Sequence, residues 1–149
     1  MPRDEKASKR LRIDRLDLLA HPRQRPAADL TQNIFIAPFT SAFARAEFAV
    51  DVRRGSPTFG RHVGVRLSEE NGRQFFVPRG FAHGFQVVSE TADIMYKCDN
   101  LYSPADELVV RWNDPALAIE WPIADPILSA RDAQAPLLAD VKGLPQAAE

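Results

Sequence analysis

The stretch Phe76-Val77-Pro78-Arg79-Gly80-Phe81-Ala82-His83-Gly84-Phe85 sets a lone histidine among aromatics, between segments that read as strands. Pro78, Gly80 and Gly84 punctuate it, so the chain can turn there. A patch of this kind can hold a polar side chain at the mouth of a β-barrel. Tyr96 and Asp132 follow downstream. Histidine, tyrosine and aspartate are the residue types of proton transfer. An imidazole changes charge near neutrality, and a phenol with an ordinary pKa of ~10 still holds a proton to give. Each residue also has a plainer reading. Taken alone, His83 is a structural histidine bonded in a turn, Tyr96 is a packing aromatic on a strand, and Asp132 beside Arg131 is a solvated pair worth little.

The elements that must position these residues are short and strand-like. Phe48-Ala49-Val50-Asp51-Val52 alternates with a period of two, and Arg53-Arg54-Gly55-Ser56-Pro57-Thr58 is turn chemistry. His62 to Leu67 is the next strand, and Asn71-Gly72 is a hairpin signal. Gln74 to Val77, Phe85 to Val88 and Asp93 to Lys97 continue the pattern. Strands at this spacing, split by turns, indicate an all-β sandwich, barrel or jelly roll. Asn113 to Leu138, rich in Pro and Asp, is expected to pack irregularly over it, with a short helical turn near Ala135 to Ala139.

The N-terminal part differs in kind. Residues 1–33 are basic and carry Pro22 and Pro26. Leu11 to Leu19 has the spacing of a short amphipathic helix that must end before Pro22. Such a composition reads as a solvated, poorly ordered segment more readily than as a binding site for an anion. Thr31 to Phe39 offers one further strand, with Pro38 confined to an edge or a strand end.

A chain of 149 residues is one ordinary domain, and 45% hydrophobic with 26% charged residues is ordinary globular composition. A net charge of −1 gives no reason to expect nucleic acid or an anionic membrane as partner. Phe75, Phe76, Phe81 and Phe85 accordingly read as core or rim rather than as a base-stacking platform. Cys98, the one cysteine, cannot close an intrachain disulfide. No apolar run approaches the ~20 residues of a membrane helix, and the charged first ten residues do not read as a secretory signal. A cytoplasmic protein is expected. His83 has no second histidine nearby, so no metal site is expected.

From about Ala44 to Val141 the chain resembles the dTDP-4-dehydrorhamnose 3,5-epimerase family. The matching pieces are Val50 to Gly60, Val77 to Phe85, Ser89 to Ala92, Tyr96-Lys97, Tyr102 to Glu107, Trp112 to Pro115 and Leu128 to Leu138. They run in the family's order over about two thirds of the chain. The resemblance implies a cupin-type jelly roll, here incomplete, and a homodimer. It implies a division into 1–42, an N-terminal segment outside the match, 43–141, the epimerase-like domain, and 142–149, a tail. It implies epimerisation of dTDP-4-keto-6-deoxyglucose at carbons 3 and 5, on the route to dTDP-rhamnose and surface polysaccharide. No cofactor is implied, because the substrate's own ketone takes up the charge.

Carried over residue by residue, the resemblance puts Tyr96 at the place of the proton donor. Asp132 falls at the place of the aspartate that orients the base. His83, Glu107 and Arg131 fall at substrate-contacting positions, Arg131 where a diphosphate-contacting lysine is usual, and Tyr102 fits a pocket-lining aromatic. The family's base stands in an Arg-Gly-x-His-x-Gln strand, followed by a Gln-Gly-Lys segment that carries the oxyanion lysine. This sequence contains neither. His21 sits in a basic, turn-like setting, and His62 lies where the family keeps no catalytic group. Without a base beside it, Asp132 is expected as an orphan charge or as an exposed one. The alternative expectation is a catalytically inactive cupin remnant, truncated or frameshifted, that has lost the base histidine and the oxyanion lysine.

Overall fold

A computed structural model describes residues 18–19, 34–38, 44–89, 94–97 and 107–148. In chain order the strands are β1 (Leu18–Leu19), β2 (Ile34–Pro38), β3 (Ala44–Asp51), β4 (His62–Ser68), β5 (Phe75–Val77), β6 (Phe81–Val87), β7 (Ile94–Lys97) and β8 (Glu107–Leu108). A four-residue helix, α1 (Ala130–Ala133), and a 3-10 turn at Leu138–Asp140 follow.

The strands form two three-stranded antiparallel sheets, ordered β4-β3-β6 and β5-β2-β7, and a two-stranded pair, β1-β8. Alternation along β3 gives it two different faces. Its odd-numbered residues Glu47, Ala49 and Asp51 share a face with Leu67 of β4 and with Phe81, His83 and Phe85 of β6, by register. On this inner face Ala49 and Leu67 pack against Phe75 and Val77 of the second sheet. The even-numbered row is covered instead by the C-terminal stretch. Val50 and Ala82 pack there with Val52, Val110, Leu117, Leu138, Val141 and Leu144. Each valine and leucine among them contributes about 1.5–3 kcal/mol on burial.

Polar anchors hold this irregular stretch in place. The Gln86 side chain, fully buried, donates to the Ile123 carbonyl at 2.9 Å and accepts from the Ile123 amide at 2.8 Å. Asp114 accepts from the Leu138 amide at 2.7 Å and the Ala116 amide at 2.9 Å. The Trp121 indole donates to the Trp112 carbonyl at 2.8 Å.

The all-β reading is borne out, and so is a strand within Thr31 to Phe39, with Pro38 as its last residue. Three local expectations differ. Leu18 and Leu19 lie in a strand, not in a helix; the rest of the expected helix lies outside the described residues. Asn71-Gly72 joins strands of different sheets rather than a hairpin, because the Asn71 side chain ties Ser68, Arg66 and Arg73 into a turn that carries the chain across. Strand β6 runs from Phe81 to Val87 rather than from Phe85 to Val88, so His83 is a strand residue. The short helical turn expected near Ala135 to Ala139 is present as the 3-10 turn at 138–140, and α1 precedes it at 130–133.

Candidate active site

The inner face carries a pair of buried polar side chains. His83 Nε2 lies 2.5 Å from Glu47 Oε2, with side-chain exposures of 7% and 0%. Register produces the meeting. Ala49 stands opposite His83 and Glu47 opposite Phe85, so Glu47 and His83 are diagonal neighbours on one face. The His83 ring also stacks on Phe85, with centroids 6.1 Å apart and planes inclined by 30°. Glu47 is the residue that the sequence reading missed. It stands one position before the alternating run Phe48 to Val52, yet it shares the parity of Ala49 and Asp51, and a carboxylate in a buried row needs a partner.

The turn after β3 is built on Asp51. Its carboxylate accepts from Arg53 N at 3.0 Å, Arg53 Nε at 2.9 Å, Arg53 Nη2 at 2.7 Å, Ser56 Oγ at 2.5 Å and Thr58 Oγ1 at 2.6 Å. Burial pushes this carboxyl up, but the bonds from Arg53, Ser56 and Thr58 outweigh it and hold the group far below the usual carboxylate range. The same bond raises the Arg53 guanidinium above its ordinary value, against the opposing effect of burial. Arg53 then lies over the Phe81 ring, 4.8 Å from its centroid. The motif Asp51 to Thr58 therefore fixes the entry of β6, two residues before His83.

The other expected site residues divide. Glu107 begins β8 and Arg131 lies in α1, and the structure brings them together, Nη1 to Oε2 at 2.5 Å. Asp132 is buried rather than exposed, and it is not an orphan. Ser129 Oγ donates to its carboxylate at 2.6 Å and accepts from its amide at 3.1 Å, capping α1. Tyr96 lies in β7, where Ile36 is its register partner; Ile36 is also the partner of Phe75. By register Tyr96 thus belongs to the row of Phe75 and Val77, on the sheet that packs against Ala49 and Leu67 of the first. Tyr102 lies outside the described residues. A depression of about 540 Å³ lined by Phe48, His62, Arg66 and Glu120 opens beside the even-numbered row of β3 and contains none of the expected site residues. Among the described residues no group of three or more His, Cys, Asp or Glu could hold a metal ion. No helix among them is long and apolar enough to cross a membrane.

The sequence pattern of the dTDP-4-dehydrorhamnose 3,5-epimerase family matches residues 44–140. The chain belongs to that family. It is 57% identical over 93 residues to the dTDP-4-dehydrorhamnose 3,5-epimerase of Salmonella typhimurium, covering 62% of this chain and 51% of that protein. It is 52% identical over 100 residues to the Pseudomonas aeruginosa enzyme of the same name, covering 66% and 55%. The fold is similar to that of dTDP-6-deoxy-D-glucose-3,5-epimerase from Legionella pneumophila, solved in complex with dTDP-4-keto-L-rhamnose. The TM-score is 0.76 at 41% identity, over 93% of this chain and 69% of that one. The architecture is therefore the family's cupin-type jelly roll, incomplete among the described residues. The chain spans about half the length of the curated relatives it matches.

Proposed function

We propose that this chain is a sugar-nucleotide 3,5-epimerase acting on dTDP-4-keto-6-deoxyglucose at carbons 3 and 5. The observation that carries the proposal is the facing of two rows. His83, held by Glu47, stands on one inner sheet, and the register position of Tyr96 stands on the other. Inverting a carbon next to a ketone requires a proton acceptor on one side of the sugar and a donor on the other. Two sheets packed face to face offer those two sides.

In this reading Tyr96 is the acid, and His83, Tyr102, Glu107 and Arg131 hold the substrate. Arg131 is the group suited to the diphosphate. A guanidinium has five donors, so its bond to Glu107 leaves capacity for phosphate oxygens. Asp132 sits in the wall beside Arg131 and is kept in place by Ser129. Residues 43–141 form the working unit, with 1–42 and 142–149 outside it. The reaction needs no cofactor and no metal, because the ketone accepts the charge. A homodimer in the cytoplasm, without nucleic acid or membrane as partner, completes the reading. Strand β4, at the edge of its sheet among the described residues and with Val63 54% exposed, offers an edge at which a second copy can pair.

The competing reading is a catalytically inactive cupin remnant. It draws on the sequence's lack of the Arg-Gly-x-His-x-Gln and Gln-Gly-Lys segments. Incubation with dTDP-4-keto-6-deoxyglucose, followed by proton NMR of the sugar, separates the two. Formation of the doubly inverted sugar by the parent protein supports the enzyme. A folded sample that binds dTDP and forms no epimer supports the remnant.

A further inference from the structure

We propose that His83, oriented by Glu47, is the base with which this chain takes the proton from carbon, in place of the upstream histidine that its sequence does not carry. The inference rests on the epimerase reading and assigns it a base. Of the described histidines, His62 falls in the even-numbered row of the sheet, opposite Val50, whereas His83 belongs to the inner face.

The geometry around His83 is that of an oriented base rather than of a simple contact residue. With Glu47 as the carboxylate, Nε2 donates to it and carries the hydrogen. That fixes the tautomer and leaves the lone pair on Nδ1. Among the described residues Nδ1 has no hydrogen-bond partner, so the basic atom is not consumed by the fold. Stacking on Phe85 holds the ring plane. Because the pair lies between adjacent strands of one sheet, its spacing is set by backbone register and not by a loop. When Nδ1 gains a proton, Glu47 stabilises the resulting imidazolium, as a buried carboxylate does for other histidine bases.

The step balances with no other reactant. The Nδ1 lone pair takes the proton from the carbon beside the ketone. The C–H electron pair becomes the C=C of the enolate, and the carbonyl π pair moves to oxygen. Tyr96 gives its phenolic proton to the opposite face of the same carbon, and the oxygen's electrons return to restore the ketone. Imidazolium and phenolate then exchange a proton through solvent. Nothing is oxidised or reduced.

The test is carbon-bound hydrogen exchange in heavy water on dTDP-4-keto-6-deoxyglucose, with dTDP affinity measured on each protein. His83→Asn is expected to slow exchange by about 100-fold or more while dTDP affinity stays within about threefold. Added imidazole is expected to restore part of the exchange in His83→Ala, which a residue needed only for binding or packing would not allow. Glu47→Gln is expected to slow exchange by about 10–100-fold, with Glu47→Asp recovering part of it and KM little changed. His62→Asn is expected to leave the rate unchanged. Exchange in His83→Asn at the parent rate, or loss that imidazole does not rescue in a His83→Ala protein that still binds dTDP, overturns the proposal and leaves the epimerase reading standing. A parent protein that binds dTDP and exchanges nothing overturns both.

Discussion

Glu47 and His83 are joined across two strands, one register step apart, by a 2.5 Å bond that almost no solvent reaches. Removing Glu47 leaves the buried Nε2–H of His83 without its acceptor, at a cost of about 1–3 kcal/mol. Glu47→Ala is therefore expected to lose stability of that order, and Glu47→Asp much less. Urea unfolding of the three proteins measures it. An alanine variant as stable as the parent would show that the pair is not buried in solution.

Asp51 gives the chain an acid-sensitive turn. Its folded pKa lies below its unfolded value, near 3.8, so its contribution is fully present above that value and is lost as pH falls toward the folded one. At neutral pH Asp51→Asn is expected to cost about 2 kcal/mol, since charged hydrogen bonds are replaced by weaker ones. The gap to the parent should shrink as pH falls below about 4. Thermal melts between pH 7 and pH 2.5 check this, and a gap that widens on acidification would contradict it.

Gly80 precedes β6 with φ of +79°, and a Cβ there would collide with Arg53 Cγ. Alanine must therefore both accept a left-handed backbone and displace the Arg53 side chain that lies over Phe81. Gly80→Ala is expected to lose about 2 kcal/mol or more. Gly55 also has positive φ but nothing within 4 Å of the added atom, so Gly55→Ala should cost less. Denaturation midpoints of the two variants decide the order.

Much of this was legible in the sequence. The turn Arg53 to Thr58, the strands around it and the family block all follow from residue types and order. The Glu47–His83 pair was not, because it joins residues 36 apart and exists only through the register of β3 with β6. The turn at Asn71-Gly72 was legible as a turn, but which sheets it links depends on which strand β5 finds as partner, and that partner is β2. Asp132 read as exposed or orphaned because the sequence lacks the upstream base that the family sets beside it. The bond from Ser129, three residues back, is helix-cap geometry that the short helix creates.

Ser129→Ala tests that cap. It removes the acceptor for the Asp132 amide and the donor to its carboxylate. A loss of about 1 kcal/mol is expected for the cap itself. If Asp132 belongs to the site wall as proposed, dTDP-sugar affinity should weaken as well, while dTDP alone binds through Arg131 much as before. Equal weakening toward both ligands would place the effect on Arg131 instead.

The central claim is proton transfer at carbon between the two inner sheets. The direct measurement is deuterium incorporation into dTDP-4-keto-6-deoxyglucose by the parent protein in heavy water, read by NMR beside a Tyr96→Phe variant. The account predicts label at carbons 3 and 5 with inversion by the parent. It predicts label without inversion by Tyr96→Phe, where the base can return a deuteron only to the face it came from. No label above the protein-free rate from a folded parent that binds dTDP would contradict it.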